Sequence, residues 1–449
     1  MPAAPPPAAA ETAAAAVATG APIPGPALPP AFEDHWSFFT TGRISSFFSW
    51  SKGDGMPQAT TFNSETDQQL HQVLTNTGGT GPTPEATYNV IKANGMQSMA
   101  QYSTVDAMRV RSGFTGNVIA FGARRRLGDN LVTGYLSVTS TVDSQSQKKY
   151  FQTYPDFREG YLKIEGAWGT FLAGRSGVLF DRGAVETDFL YLHGYGLGFP
   201  ADLNSASGFP TAGQIGFGVL ANGYGAGFVY STPTIAGIQL NVGLYDPASL
   251  TGSSIERTKF VRPEFELIAD EPLAHFGKLH IYFNGGFQPN YQQAKPDTVV
   301  KNMYGVGYGA RLELGPVHLA GGGHVGKGLG LAYPGLPSDA VYDPESNLRM
   351  TDGFFGMVQL VLGKFEIDGG YGKTTIHMTN VDLTGNPANP TGDPSFSVIE
   401  TQAAFSGAVV FHARDWLHFD VDVMNADSQW DLGERQRINF LNAGTTLTW

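Results

Sequence analysis

The sequence predicts an all-β fold: one transmembrane antiparallel β-barrel of about sixteen strands, with short turns at one rim and long loops at the other. Three observations predict it. Apolar and polar residues alternate with period two over most of the chain. Connections alternate between very short and long. The composition has 58 glycines and 12% aromatics but only 15% charged residues in 449 positions, too few charges for an ordinary soluble surface.

The alternation is clearest at the C-terminus. Leu441, Ala443, Leu447 and Trp449 fall on one face with Thr445 among them, and Asn442, Gly444, Thr446 and Thr448 fall on the other. Such a pattern marks a strand with two different surroundings. It runs to the last residue and stops on a large aromatic, whereas termini in water usually fray. An aromatic at a lipid–water interface explains that ending. Earlier strands repeat the pattern. Leu279, Ile281, Phe283 and Phe287 oppose His280, Tyr282, Asn284 and Gln288. Tyr304, Val306, Tyr308, Ala310, Leu312 and Leu314 oppose Gly305, Gly307, Gly309, Arg311 and Glu313. Leu417, Phe419, Val421 and Val423 oppose His418, Asp420 and Asp422.

Paired carboxylates on one strand face, as at Asp420/Asp422, Glu264/Glu266 and Glu366/Asp368, would be costly in a dry core. On a water-filled lumen they cost little. The polar faces are therefore read as wet and the apolar faces as lipid-facing. A soluble sandwich also alternates, but it needs a second sheet over every apolar face.

The connections agree. Short turns fall at Leu127-Gly128-Asp129-Asn130, Trp168-Gly169, Thr232-Pro233, Gly315-Pro316, Gly363-Lys364 and Ala413-Arg414-Asp415. Long loops are predicted near 51–101, 143–157, 177–213, 246–256, 289–301, 328–351 and 379–396, rich in Gly, Pro, Asn, Asp and Ser.

Residues 1–31 form an Ala/Pro-rich flexible N-terminal segment, and 32–449 form the barrel. The segment lacks the positive start and unbroken apolar core of a secretion signal, and the expectation is that such a signal has been removed ahead of it. No run of eighteen apolar residues exists, which excludes a membrane-spanning helix and not a barrel. Mean hydropathy is −0.14, as expected when only every second residue meets lipid. With no cysteines, disulfides and thiolate chemistry are excluded. The net charge of −12 and pI near 5.3 argue against nucleic acid. Arg124-Arg125-Arg126 is read as a solvated rim in preference to an electropositive entrance or a lipid-phosphate contact.

Several motif look-alikes fail. Gly372-Lys373-Thr374 resembles the end of a phosphate loop, but Ile367 stands where glycine is required. The ten histidines lack ligand spacing, and no nucleophile elbow is found. No enzyme activity, cofactor or metal is expected.

Three stretches resemble the general porins of Gram-negative outer membranes. Arg111-Ser112-Gly113-Phe114-Thr115-Gly116 leads into Arg126-Leu127-Gly128-Asp129-Asn130-Leu131. Glu159 to Thr170 leads into Gly174-Arg175. Phe228-Val229-Tyr230-Ser231-Thr232-Pro233 precedes Ala236-Gly237. Trp449 is similar to the family's terminal aromatic, usually Phe. The resemblance covers most of residues 36–449 in rhythm. It implies a sixteen-stranded, usually trimeric barrel in the outer membrane, in contact with lipid and lipopolysaccharide, through which small polar solutes and ions diffuse passively. It also implies that loop 177–213 folds inward as a constriction. Its acids Asp181, Glu186 and Asp188 would then face Arg111 and Arg175, which match the family's strand arginines, and Arg109, which shares a strand face with Arg111. Opposed charges across a narrow aqueous gap favour polar solutes over apolar ones. The Gly- and aromatic-rich run 191–199 departs from the family loop. Acids on the later strands lean the lumen toward cations. A substrate-selective channel and a closed structural or partner-binding barrel stay open as alternatives.

Overall fold

The computed structural model describes residues 31–55, 104–113, 116–140, 156–192, 223–247, 255–256, 260–273, 276–293, 298–331, 341, 343, 347–380, 399–430 and 435–449. Among them, eighteen strand segments form one sheet. Two pairs of segments are one strand interrupted, so the barrel has sixteen. β1 spans Ser37–Asp54. β2 is Thr104–Arg111 continued by Asn117–Leu127. β3 (Asn130–Ser140), β4 (Asp156–Gly166) and β5 (Gly169–Gly177) follow. Two helices, α1 (Leu179–Thr187) and α2 (Phe189–Leu192), come next. Then come β6 (Tyr224–Ser231), β7 (Ile238–Tyr245), and β8, which is Ile255–Glu256 continued by Arg262–Pro272. The remaining strands are β9 (Lys278–Gln293), β10 (Thr298–Leu314), β11 (Val317–Lys327), β12 (Met350–Leu362), β13 (Phe365–His377), β14 (Ile399–Arg414), β15 (Leu417–Trp430) and β16 (Arg435–Thr448).

Every neighbouring pair is antiparallel, and β1 closes the barrel by pairing Arg43–Gly53 with Ile438–Thr448. Closure leaves no exposed sheet edge, which is what a strand needs to lie in hydrocarbon. Both interruptions are bridged by a continuous neighbour. β1 pairs with both halves of β2, and β9 pairs with both halves of β8.

Side chains separate by face as the alternation predicts. Phe48, Val110, Phe121, Leu136, Phe228, Leu267, Phe283, Val358, Phe405 and Val423 are exposed on the outside. Held in water, so much apolar surface would cost tens of kcal/mol at about 25 cal/mol per Å²; lipid removes that cost. Aromatics cluster near the short turns, with Trp168 stacked on Tyr230 at 6.2 Å and Phe365 against Phe411 at 4.9 Å. Trp449 belongs to this outer set. Its Nε1 donates to Thr40 Oγ1 at 3.0 Å, and its ring lies over Gly42, where a Cβ would come within 2.4 Å of it.

The short turns fall where expected, and Gly128 and Gly363 take φ of 57° and 63° there, which glycine adopts without strain. An additional short turn joins β8 to β9, where Leu273 N donates to Gly277 O at 2.9 Å. Two expectations need correction. The loop near 289–301 is largely strand, because β9 reaches Gln293 and β10 begins at Thr298; above the lipid, the ladder satisfies the backbone whatever the side-chain pattern. The start of the 177–213 segment, expected as an irregular loop folded into the barrel, is helical there.

Candidate pore constriction

Helix α1 has a poor start by its own sequence. Val178 precedes it in extended conformation and offers no side-chain cap. The first N–H groups of a helix need acceptors. Here the barrel wall supplies one. Leu179 N and Phe180 N donate to Glu264 Oε2 of β8 at 2.8 and 3.0 Å. The carboxylate also sits at the positive end of the helix dipole. Glu264 is buried and ion-paired to Arg262 Nε at 2.8 Å, and the Arg262 guanidinium lies 5.6 Å from the Tyr245 ring centroid.

Further contacts hold the helix to the same wall. Arg182 ion-pairs with Glu266, whose Oε2 also accepts from Asn241 Nδ2 at 3.2 Å. Gly183 lies flat on Tyr282; a Cβ there would fall 2.2 Å from the ring. Arg311 Nη1 donates to the Glu186 carbonyl at 3.1 Å, and the Glu186 carboxylate lies 3.6 Å from His280 Nε2. Asp188 Oδ1 accepts from Leu190 N at 2.9 Å and starts α2. Phe180, Ala184, Phe189 and Leu190 join Tyr282, Met303, Ala320 and Phe355 in one buried apolar cluster. The helix is thus fastened to β7–β12, and the strands across the lumen from it are β1–β4.

On that other wall, Arg109 and Arg111 pair with Ser49 and Phe47 of β1. Both partners are fully buried, while Met108 and Val110, on either side of Arg109, are exposed on the outside. Arg109 and Arg111 therefore face the lumen. So does Arg43, whose Nε and Nη2 donate to Gly116 O at 3.3 and 3.1 Å; the sequence reading did not pick it out. Arg124 pairs with buried Thr133 and shares the inward face with Arg126. The Arg124–Arg126 cluster is thus partly a lumen feature and not only a rim.

Glu186 and Asp188 lie inside the barrel at the end of α1, but Glu186 is turned toward His280 of β9 and Asp188 toward Leu190 N of α2, not toward the arginines. Asp181 lies on α1, with its side chain outside the described residues. Arg175 is placed differently from the expectation. It pairs with Gly160 and Ala226 and shares its face with Phe171 and Phe228, both exposed outside. Its Nε donates to Arg158 O at 3.1 Å. The physical reason is strand phase: Leu172 and Ser176 point inward and are buried, so the odd-numbered neighbours point out. Of the run 191–199, only Tyr191 and Leu192 fall among the described residues.

The acids behind the cation leaning do face inward, but they are engaged. Asp422 Oδ1 accepts from Asn442 Nδ2 at 2.6 Å, and Asp420 Oδ2 accepts from Thr446 Oγ1 at 3.3 Å. Near the short turns, Glu366 lies 3.1 Å from His412 Nε2, and His412 shares a 2.6 Å hydrogen bond with His418. Among the described residues, no cluster of three or more His, Cys, Asp or Glu is arranged to hold a metal.

No family model matches the chain, and neither does any curated protein. Solved structures do. The outer membrane channel DcaP of Acinetobacter baumannii is 11% identical, with 94% of this chain and 100% of that chain covered at a TM-score of 0.61. An anion-selective porin from Comamonas acidovorans is 10% identical, with 92% and 100% covered at 0.56. Salmonella typhi OmpF, solved in complex with daunomycin, is 9% identical, with 92% and 97% covered at 0.51. The likeness is one of fold.

Proposed function

With the sixteen-stranded fold of outer-membrane porins as premise, we propose that this protein is an integral outer-membrane channel for passive diffusion of small hydrophilic solutes and ions. The observation that carries the reading is the lumen helix. An outside clad in Phe, Leu and Val encloses a charged interior, and α1 is fastened to one wall of that interior, leaving β1–β4 facing it. A helix held to one side of a tube narrows it. The short-turn end is then periplasmic and the long-loop end extracellular.

In this reading the constriction lies between α1 and β1–β4. Arg109 and Arg111 supply positive charge on the wall; on the helix side Glu186 is held against His280 and Asp188 starts α2, so both are turned away from the arginines. Arg175 faces the membrane and takes no part. The field across the gap orders water and admits polar solutes in preference to apolar ones. Lipid and lipopolysaccharide contact the apolar belt and its rims, and three copies associate through their outer walls. No catalytic role is assigned to any residue.

The test is single-channel recording of the purified protein in a planar bilayer. Stepwise openings, grouped in threes, are expected. A stably inserted protein that never conducts would overturn the reading.

A further inference from the structure

Positive charge on the inner wall of β1–β4 is arranged as a line. Arg109 pairs with Ser49 and Arg111 with Phe47. Further down, Arg43 pairs with Val118, and Arg124 pairs with Ser37. Arg126 follows on the same face beside the short turn. Between Ser49 and Ser37 this seam runs roughly 40 Å, at about 3.3 Å per residue. The guanidiniums thus mark a path from the upper lumen to the short-turn mouth.

Little opposes them locally. Two carboxylates share the described inner face of β2–β4. Glu159 is buried and accepts from Ser137 Oγ at 3.4 Å. Glu165 is ion-paired to Lys163 at 3.2 Å and is near enough to act on Arg124 as well. Among the described residues, no carboxylate ion-pairs with Arg109, Arg124 or Arg126. Arg109 only donates to the carbonyl of its neighbour Met108, at 3.2 Å.

Across the lumen the situation is reversed. Glu264 is matched by Arg262, Glu266 by Arg182, Asp270 by Lys278 and Glu313 by Arg311. Asp420 and Asp422 are 2% and 1% exposed, behind their hydrogen-bond donors. The acids are as numerous as the sequence indicates, but they are neutralised in pairs or sunk into the wall. A permeating ion meets accessible charge mainly on the arginine side.

We propose that the pore prefers small oxyanions, carboxylates or phosphate, over cations, and that Arg109, Arg124 and Arg126 set this preference. The inference rests on the channel reading above and names its solute class. Guanidinium presents a planar fork of donors that fits two oxygens of a carboxylate or phosphate. It stays charged at any working pH. A narrow aqueous path with low-dielectric walls focuses such a field and raises the local concentration of counter-ions.

The experiment is the reversal potential of single channels in a KCl gradient, repeated with potassium acetate and with potassium phosphate. The wild type is expected to reverse on the anion side in all three salts. The triple variant R109Q/R124Q/R126Q is expected to lose roughly threefold or more of its anion-over-cation permeability ratio, while still opening in steps that show a seated barrel. R109K/R124K/R126K keeps the charge and should keep the sign of the preference. If only phosphate loses its advantage in the lysine variant, the fork geometry selects phosphate; if acetate loses it too, carboxylates are read the same way. A wild type that reverses on the cation side, or a glutamine variant with an unchanged ratio, overturns the oxyanion proposal and leaves the channel standing. A barrel that inserts and never conducts overturns the channel reading and this inference with it.

Discussion

The wall under α1 and the wall across from it are built from the same kinds of residue, yet their charges do opposite things. On β7–β10, Glu264, Glu266, Arg262 and Arg311 fasten a helix, and each has a partner within the protein. On β1–β3, no carboxylate among the described residues ion-pairs with Arg109, Arg124 or Arg126. A buried, paired charge is structural because removing its partner leaves it uncompensated in a poor solvent for ions. A wetted charge costs little to keep or lose, but it stays available to solutes. Alternation alone does not separate these cases; a partner distant in sequence does.

The contrast can be broken most forcefully at Glu264. Replacing it with alanine uncaps α1 and leaves Arg262 buried without its carboxylate. We expect a loss of about 3–5 kcal/mol, measured by urea titration of the barrel in lipid vesicles, together with larger single-channel steps as the helix loosens. Unchanged stability and step size would show that the helix is held by something else. Next is Gly183→Val, whose side chain would meet the Tyr282 ring. About 1–3 kcal/mol is expected from overpacking, and a double-mutant cycle with Tyr282→Ala should recover part of it. Purely additive losses would deny the contact.

On the opposite wall the expected stability effects are small. Lys163→Met breaks the pair with Glu165 and should cost less than about 1 kcal/mol; a larger loss in the same urea titration would make this wall structural as well. The smallest change is expected for Arg109→Gln. Its stability should stay within about 0.5 kcal/mol of wild type, even though the reversal potential moves. A variant that unfolds without changing ion preference would erase the distinction between the two walls.

Several features were legible directly. The phase of Leu441–Trp449 placed Trp449 on the outer face, where it packs over Gly42. The carboxylate pairs Glu264/Glu266 and Asp420/Asp422 were rightly placed on the inner face, because each sits between outward apolar residues. Helix α1 was not legible. It is nine residues long, carries Gly183, and lacks a cap of its own; its cap arrives from a residue 85 positions away. Arg175 lies on the outer face although its motif implies the lumen, because strand phase, with Phe171 outward and Leu172 inward, decides the side.

By itself, the sequence determined that the chain is a β-barrel with an apolar outer face and a polar inner face, because a period of two is a local property written in consecutive residues. It also determined where the short turns lie, since glycine and its polar neighbours set those conformations locally. Only the tertiary structure decided that a helix enters the lumen, which wall holds it, and which of the described charges are ion-paired. Those outcomes depend on pairings between residues far apart in the chain, such as Phe180 with Glu264 and Arg43 with Gly116, and barrel closure alone brings such residues together.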